Sequence, residues 1–178
     1  MYNVNGIEYI LNLIDTPGHS DFSYEVSRAL EAVEGAVLLV DVTQGIQAQT
    51  LANFRAAKAA GLTIIGAVNK IDLAEHRNIE PIIKDIAGLI GVPKEEIHKV
   101  SGKTGEGVSE LLAAVVKKVP SPKILENISL SRALIFDSFY DDHKGVVASV
   151  RVVDGEIAHT DTLHLIATNT ESRIKEIG

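Results

Sequence analysis

Three short runs bring chemically capable side chains together, two of them with glycine, each directly after an apolar stretch: Asp15-Thr16-Pro17-Gly18-His19, Asn69-Lys70-Ile71-Asp72 and Ser101-Gly102-Lys103. In open α/β sheets ligands bind beyond the carboxyl ends of the strands, so runs in these places are positioned to form a site. In the first run the Asp15 carboxylate can hold Mg²⁺ through water, and Gly18 lets a backbone N–H approach a terminal phosphate because no Cβ intervenes. His19 can then position an attacking water. In the second run Asp72 can accept both ring donors of guanine, N1–H and N2–H₂, a pair that adenine does not present. Asn69 offers both amide functions to ring N7 and to neighbouring loops, and the Lys70 stem can cover the face of the base. In the third run backbone N–H groups around Gly102 can meet guanine O6, while Lys103 adds an apolar stem and a charge. Taken singly, each run also reads as turn chemistry, in which Asp, Asn and Gly serve backbone geometry.

These runs need strands behind them, and the hydrophobic pattern supplies them. Asn5-Gly6 is a dipeptide favoured in tight hairpin turns, which predicts an opening hairpin whose second strand covers residues 7–14 and ends at Asp15. Ser20 is placed to cap a helix with Val26, Ala29, Leu30 and Val33 on its buried face, stopped before Gly35. Residues 36–40 form an apolar run without alternation, as expected of a parallel strand covered on both faces. A helix over 48–60, a buried strand over 62–68 and a helix over 79–90 follow, the last with Pro81 in its first turn. A short strand before Ser101 and a helix carrying Val108, Leu111, Leu112, Val115, Val116 and Val119 complete a layered α/β region. After Pro120-Ser121-Pro122 the text becomes strand-like, at 133–136, 146–153 and 163–167, with turns at Asp141-Asp142, Asp154-Gly155 and Thr168-Asn169.

Composition bounds the function classes. The chain has 178 residues, 46% of them hydrophobic, enough for one ordinary core or two small ones and contrary to intrinsic disorder. The absence of cysteine excludes a disulfide framework, a thiolate metal cage and a cysteine nucleophile, and fits a reducing cytoplasm. The first residues lack the pattern of a signal peptide, and no apolar run approaches the length of a bilayer span. A net charge of −7 argues against broad nucleic-acid binding, so any RNA contact must be local. His76, His98, His143, His159 and His164 show no metal-ligand spacing, and Asp41, after the 37–40 strand, fits either a ligand or, the favoured reading, a carboxylate that stabilises its loop, so its role stays open.

In this order, D-x-x-G, N-K-x-D and S-x-K resemble the third, fourth and fifth sequence elements of P-loop GTPases. The histidine after D-T-P-G and the attached β region resemble translational GTPases. The run from Asp15 to Leu30 is similar to the elongation factor 4 (LepA) family, as are Glu34-Gly35-Ala36, the run from Gln44 to Asn53, and the run from Ala133 to Ser138. Elongation factor G, the TypA/BipA group and release factor 3 share the three nucleotide elements, so the connecting text separates them. Gly102 departs from the family, which more often has alanine there; a backbone N–H contact survives this change.

The resemblance implies an α/β fold: a P-loop-GTPase-like layered sheet missing its first strand, followed by the start of an all-β barrel. It implies a partial GTP-binding domain over 1–122, a linker over 123–131 and a partial β-barrel over 132–178. The implied activity is ribosome-dependent hydrolysis of GTP, with GTP or GDP and Mg²⁺ as ligands, coupled to backward movement of tRNAs. The implied nucleotide-site residues are Asp15, Thr16, Pro17, Gly18, His19, Asn69, Lys70, Ile71, Asp72, Ser101, Gly102 and Lys103, with His19 catalytic and Asp15 supporting magnesium. The implied partners are large-subunit ribosomal RNA and tRNA-bound translation complexes in the cytoplasm, with no DNA and with room for peripheral membrane association.

A P-loop, G-x-x-x-x-G-K-[ST], is not found: Gly102-Lys103-Thr104 resembles its tail, but the position five residues before Gly102 is Ile97. By resemblance, the first strand, the P-loop and the switch I threonine would precede Met1. That strand would lie between those ending at Asp15 and Asp41, so the sheet is expected to be disturbed. A fragment and a degenerate relative both fit. The β region stopping at Gly178 before a barrel can close favours a fragment, poorly active when isolated. The competing reading is a non-catalytic module that docks on a ribosome or another protein.

Overall fold

The computed structural model describes residues 2–4, 6–16, 23–74, 79–123 and 130–178, with residues 23–25 described by backbone alone. The chain divides into two units, Met1–Pro122 and Lys123–Gly178. Among the described residues no helix is long and apolar enough to cross a membrane.

The first unit opens with a hairpin of β1 (Tyr2–Val4) and β2 (Ile7–Tyr9), antiparallel with Val4 opposite Ile7. Gly6 takes φ 84° in the turn, and its N–H donates to Asn3 Oδ1 at 3.0 Å. The strand expected over 7–14 is shorter than its apolar pattern, because β1 offers partners to three residues and among the described residues β2 pairs with no other strand. Residues 10–16 leave the ladder, and Ile10 and Leu13 are exposed. Helix α1 (Ser23–Glu31) buries Val26 and Ala29, with Ala32 just beyond its end. Leu30 and Val33 are half-buried, Val33 lying past the helix, and the expected cap Ser20 is outside the described residues.

Behind the site lies a three-stranded parallel sheet in the order β3 (Gly35–Asp41), β4 (Thr63–Asn69), β5 (His98–Lys99). Its crossovers carry α2 (Ala48–Ala59), α3 (Glu80–Ile90) and, after β5, α4 (Val108–Lys118). Side chains alternate across a strand, so β4 serves two cores. Val68 packs with Val40, Val42, Ile83, Ile86, Ala87 and Ile97. Ile65 and Ala67, on its other face, pack with Val100 and Leu111, and with Val115 and Val119 around them. Helix α3 fits its stripe because isoleucines and Ala87 recur three and four apart on one face, and Pro81 sits in the first turn, where no intrahelical N–H is needed.

Strand β3 is not covered on both faces as its apolar run predicts. Leu38 and Val40 are buried, whereas Val37 is 39% and Leu39 50% exposed. Val37 stands opposite Ile65 and Leu39 opposite Ala67, so both lie on the face where α4 covers β4. Strand β3 is at the sheet edge, beyond that cover.

In the second unit β6 (Arg132–Asp141) and β7 (Gly145–Asp154) form an antiparallel ribbon, with a register shift between Ile135 and Asp137. Asp141 holds its turn by accepting the N–H groups of His143 and Lys144 at 2.8 and 2.9 Å, which lower its carboxyl pKa. At the other end Arg132 Nε donates to buried Asp154 at 2.6 Å. A separate ribbon joins β8 (Thr162–Leu165) to β9 (Thr170–Arg173) through Asn169 at φ 52°. The polar strand β9 has no apolar signal, and β8 stops short of the expected 167.

The loop after β5 folds back on itself: Ser101 N–H donates to the Glu106 carbonyl at 2.9 Å and Gly105 N–H to the Ser101 carbonyl at 2.8 Å. The loop exits through Gly107 at φ 70°, where a Cβ would run into the Lys99 carbonyl oxygen. Gly107→Ala should therefore destabilise the chain by about 2 kcal/mol or more, combining left-handed strain with a backbone clash. Gly88→Ala, within α3 with nothing within 4 Å of the new methyl, should instead stabilise by up to about 1 kcal/mol. Urea unfolding of both variants checks the opposite signs.

Candidate functional site

Strands β4 and β5 end side by side, and backbone bonds carry their neighbourhood into the loops beyond. Val100 N–H donates to the Val68 carbonyl at 2.8 Å, and Ile71 N–H donates to the Val100 carbonyl at 3.3 Å. Lys70 takes the left-handed conformation at φ 65°, which turns the chain sharply into a single 3-10 turn at Ile71–Leu73. This turn brings Asp72 to Ser101, 29 residues away in sequence, and Ser101 Oγ donates to Asp72 Oδ1 at 2.6 Å. The same hydroxyl accepts the Thr104 N–H at 3.1 Å, and Ser101 is completely buried. Among the described residues Ser101 is the donor to Asp72, leaving Oδ2 to accept from elsewhere.

Asn69 ties the same two loops from the other side. Its Oδ1 accepts the Lys70 N–H at 2.8 Å and the Gly102 N–H at 3.1 Å. With Oδ1 committed to backbone, the amide nitrogen is the end able to reach a ring acceptor. Gly102 and Lys103 are exposed on the turn that Ser101 anchors. The second and third runs thus form one polar rim: a carboxylate, an amide, two lysines and exposed loop backbone.

Asp41 joins this rim: its bonds to Thr43 fit the loop-stabilising reading of the sequence, whereas its pairing with Lys70 was not legible from the strand pattern. It ends β3 opposite Asn69 in the register of the sheet. Its Oδ1 accepts both the N–H and the hydroxyl of Thr43 at 2.7 Å, and its Oδ2 pairs with Lys70 Nζ at 2.7 Å. The Lys70 ammonium, and after it the Thr43 hydroxyl, hold the Asp41 carboxyl at a pKa of about 2. The signal available in the sequence was its position at the carboxyl end of the strand next to the Asn69 strand.

The first run is not brought to a strand end. Strand β2 stops at Tyr9, so Asp15 follows an irregular segment. Among the described residues no hydrogen bond or ion pair joins Asp15 or Thr16 to residues 69–72 or 101–103. Pro17, Gly18 and His19 lie outside the described residues. No group of three His, Asp or Glu placed to share a metal ion occurs among the described residues. Asp15, the carboxylate that the resemblance implies for magnesium, is exposed and stands outside any such group.

Comparison with known proteins gives the family and the fold. The chain is 51% identical over 177 residues to Elongation factor 4 of Cutibacterium acnes, covering 99% of this chain and 29% of that protein. It is 54% identical over 171 residues to Elongation factor 4 of Dehalococcoides mccartyi, covering 96% and 28%. The chain thus spans less than a third of the length of these curated relatives. Among solved structures, a bacterial selenocysteine-specific elongation factor superposes with a TM-score of 0.70 at 26% identity, covering 90% of this chain and 28% of the other. SelB of Methanococcus maripaludis, in complex with a GTP analogue, shares the fold with a TM-score of 0.66 at 23% identity, covering 88% and 36%. The α/β fold followed by β strands and the resemblance to elongation factor 4 are both borne out. Residues 2–121 match the model of the elongation factor Tu GTP binding domain, and the chain belongs to that family.

Proposed function

We propose that this chain carries the guanine-recognising part of a ribosome-dependent GTPase translation factor of the elongation factor 4 kind. The reading rests on the joining of two distant runs: Ser101 Oγ meets Asp72 Oδ1 at 2.6 Å, and Gly102 N–H meets Asn69 Oδ1 at 3.1 Å. In this reading Asp72 takes the N1–H and N2–H₂ donors of guanine. Asn69 turns its amide nitrogen toward N7, and the loop at Ser101, Gly102 and Lys103 offers backbone N–H groups to O6. Lys70 and Lys103 lay their stems against the base, and Ile71 shapes the turn between Lys70 and Asp72.

The remaining roles follow the resemblance. His19 orients the water that attacks the terminal phosphate, and Gly18, with Thr16 and Pro17, senses that phosphate. The longer protein would bind GTP or GDP and couple hydrolysis to backward movement of tRNAs. Its partners would be large-subunit ribosomal RNA and tRNA-bound complexes in the cytoplasm. The support is the high identity to proteins named Elongation factor 4.

Phosphate affinity is a separate matter. The 178 residues contain no G-x-x-x-x-G-K-[ST] run, so the backbone cradle and lysine of that motif are not among them. Several charge-assisted bonds of about 1.5–3 kcal/mol each are then missing, a loss of about 10³-fold or more in affinity.

Three outcomes are expected. Calorimetric titration of this chain with GTP and magnesium should show no micromolar binding; a micromolar Kd would overturn the reading of the phosphate side. In NMR titrations Asp72→Asn should weaken guanosine monophosphate binding by about ten-fold or more and improve xanthosine monophosphate, whose 2-oxo group can accept an amide N–H. An unchanged guanine preference would sink the base-site assignment. In the longer protein His19→Ala should lower ribosome-stimulated kcat by about 10²-fold or more with nucleotide binding retained; wild-type turnover would remove His19 from the mechanism.

A further inference from the structure

The polar rim contains one charged contact that the guanine reading does not use. Lys70 is half exposed, on a long flexible stem, yet its ammonium is held at 2.7 Å by Asp41. An isolated pair of this kind at a surface is usually loose. Asp41 differs because its carboxylate cannot swing away. Thr43 grips Oδ1 through both its N–H and its hydroxyl at 2.7 Å, and the Asp41 side chain is only 19% exposed. The backbone beneath is tied as well, since Val42 N–H donates to the Asn69 carbonyl at 3.0 Å. Lys70 itself stands in the left-handed conformation, which aims its side chain differently from those of its strand neighbours.

We propose that Asp41, clamped by Thr43, is a positioning residue of the base site: it holds the Lys70 ammonium so that the lysine stem is already laid along the rim before guanine arrives. The inference rests on the guanine reading of Asn69, Asp72 and Ser101, and adds to it a residue from the neighbouring strand. Its physical basis is preorganisation. A long side chain that must be ordered on binding costs affinity, and a side chain ordered beforehand does not. Asp41 touches no base atom in this scheme; it acts through Lys70.

The test uses the 178-residue chain, with guanosine and adenosine monophosphates as probes followed by NMR titration in the millimolar range. Wild type should prefer the guanine nucleotide, and Asp72→Asn should abolish that preference. Asp41→Asn should weaken the guanine nucleotide roughly three- to ten-fold and leave the adenine nucleotide unchanged. In a Lys70→Met background the same Asp41→Asn change should have less than about a two-fold effect, because the coupling runs through the lysine. In the ligand-free chain the Asp41 carboxyl, titrating at about 2, should move up toward the ordinary carboxylate range in Lys70→Met. If Asp41→Asn fails to fold, Thr43→Val carries the test. It loosens the carboxylate without removing it, and should weaken guanine binding about two-fold only when Lys70 is present. A guanine preference retained in full by Asp41→Asn, or lost equally with and without Lys70, overturns this inference alone. A wild type with no preference dependent on Asp72 overturns the base-site reading, and this inference falls with it.

Discussion

A buried hydroxyl bonded to a carboxylate from another loop governs the arrangement of this site. Ser101 is wholly inside, so its Oγ must find partners or forfeit its hydration without return. It finds two: Asp72 Oδ1 accepts its proton at 2.6 Å, and the Thr104 N–H donates to it at 3.1 Å. A hydrogen bond to a charged group contributes about 1.5–3 kcal/mol, roughly twice the neutral value. Both sides of the bond are therefore constrained: the turn at 101–105 cannot open without stranding the hydroxyl, and Asp72 cannot rotate away without losing its donor. What is left over is an oriented carboxylate edge, which is what recognition of two adjacent ring donors requires.

That bond can form only because the sheet delivers its two halves to the same height. Strands β4 and β5 are parallel neighbours, with Val68 opposite Lys99, and the ladder continues one step further as Val100 N–H meets the Val68 carbonyl. Strand β4 is held from both faces, by the cluster around Ile83 and Ile86 and by the cluster around Leu111. Close packing transmits such placement to the loops: neither strand can slide along the other without breaking one core or the other. The site therefore inherits its precision from β4, the most thoroughly enclosed of the described strands.

Elsewhere the packing is one-sided. Strand β3 leaves Val37 and Leu39 in solvent on the face where α4 covers only its neighbour. Among the described residues the hairpin β1–β2 pairs with no strand of the parallel sheet, and in the second unit β6–β7 and β8–β9 are two separate ribbons. Two-stranded ribbons gain little from their own cross-strand contacts and draw stability from whatever packs on a face. The firm part of the first unit is thus the half that carries residues 69–72 and 101–107.

Much of this was readable from residue order because it depends on local rules. The stripe of α3 follows from isoleucines spaced three and four apart, its start from Pro81, and the positions of the second and third runs from apolar strands that end where polar residues begin. Local rules failed where a neighbour was needed. Among the described residues the apolar pattern over 7–14 has no strand partner beyond Tyr9, and the unbroken run in β3 faces cover on one side only. Asp41 looked like any loop carboxylate, although it reaches Lys70 across two adjacent strands. Residue types and spacing settled which groups are present and which strands carry them, since helix and strand periodicity act within a few residues. The meeting of Ser101 with Asp72 and of Asp41 with Lys70 was decided by parallel pairing of β3, β4 and β5, because a hydrogen bond or an ion pair depends on distance in space.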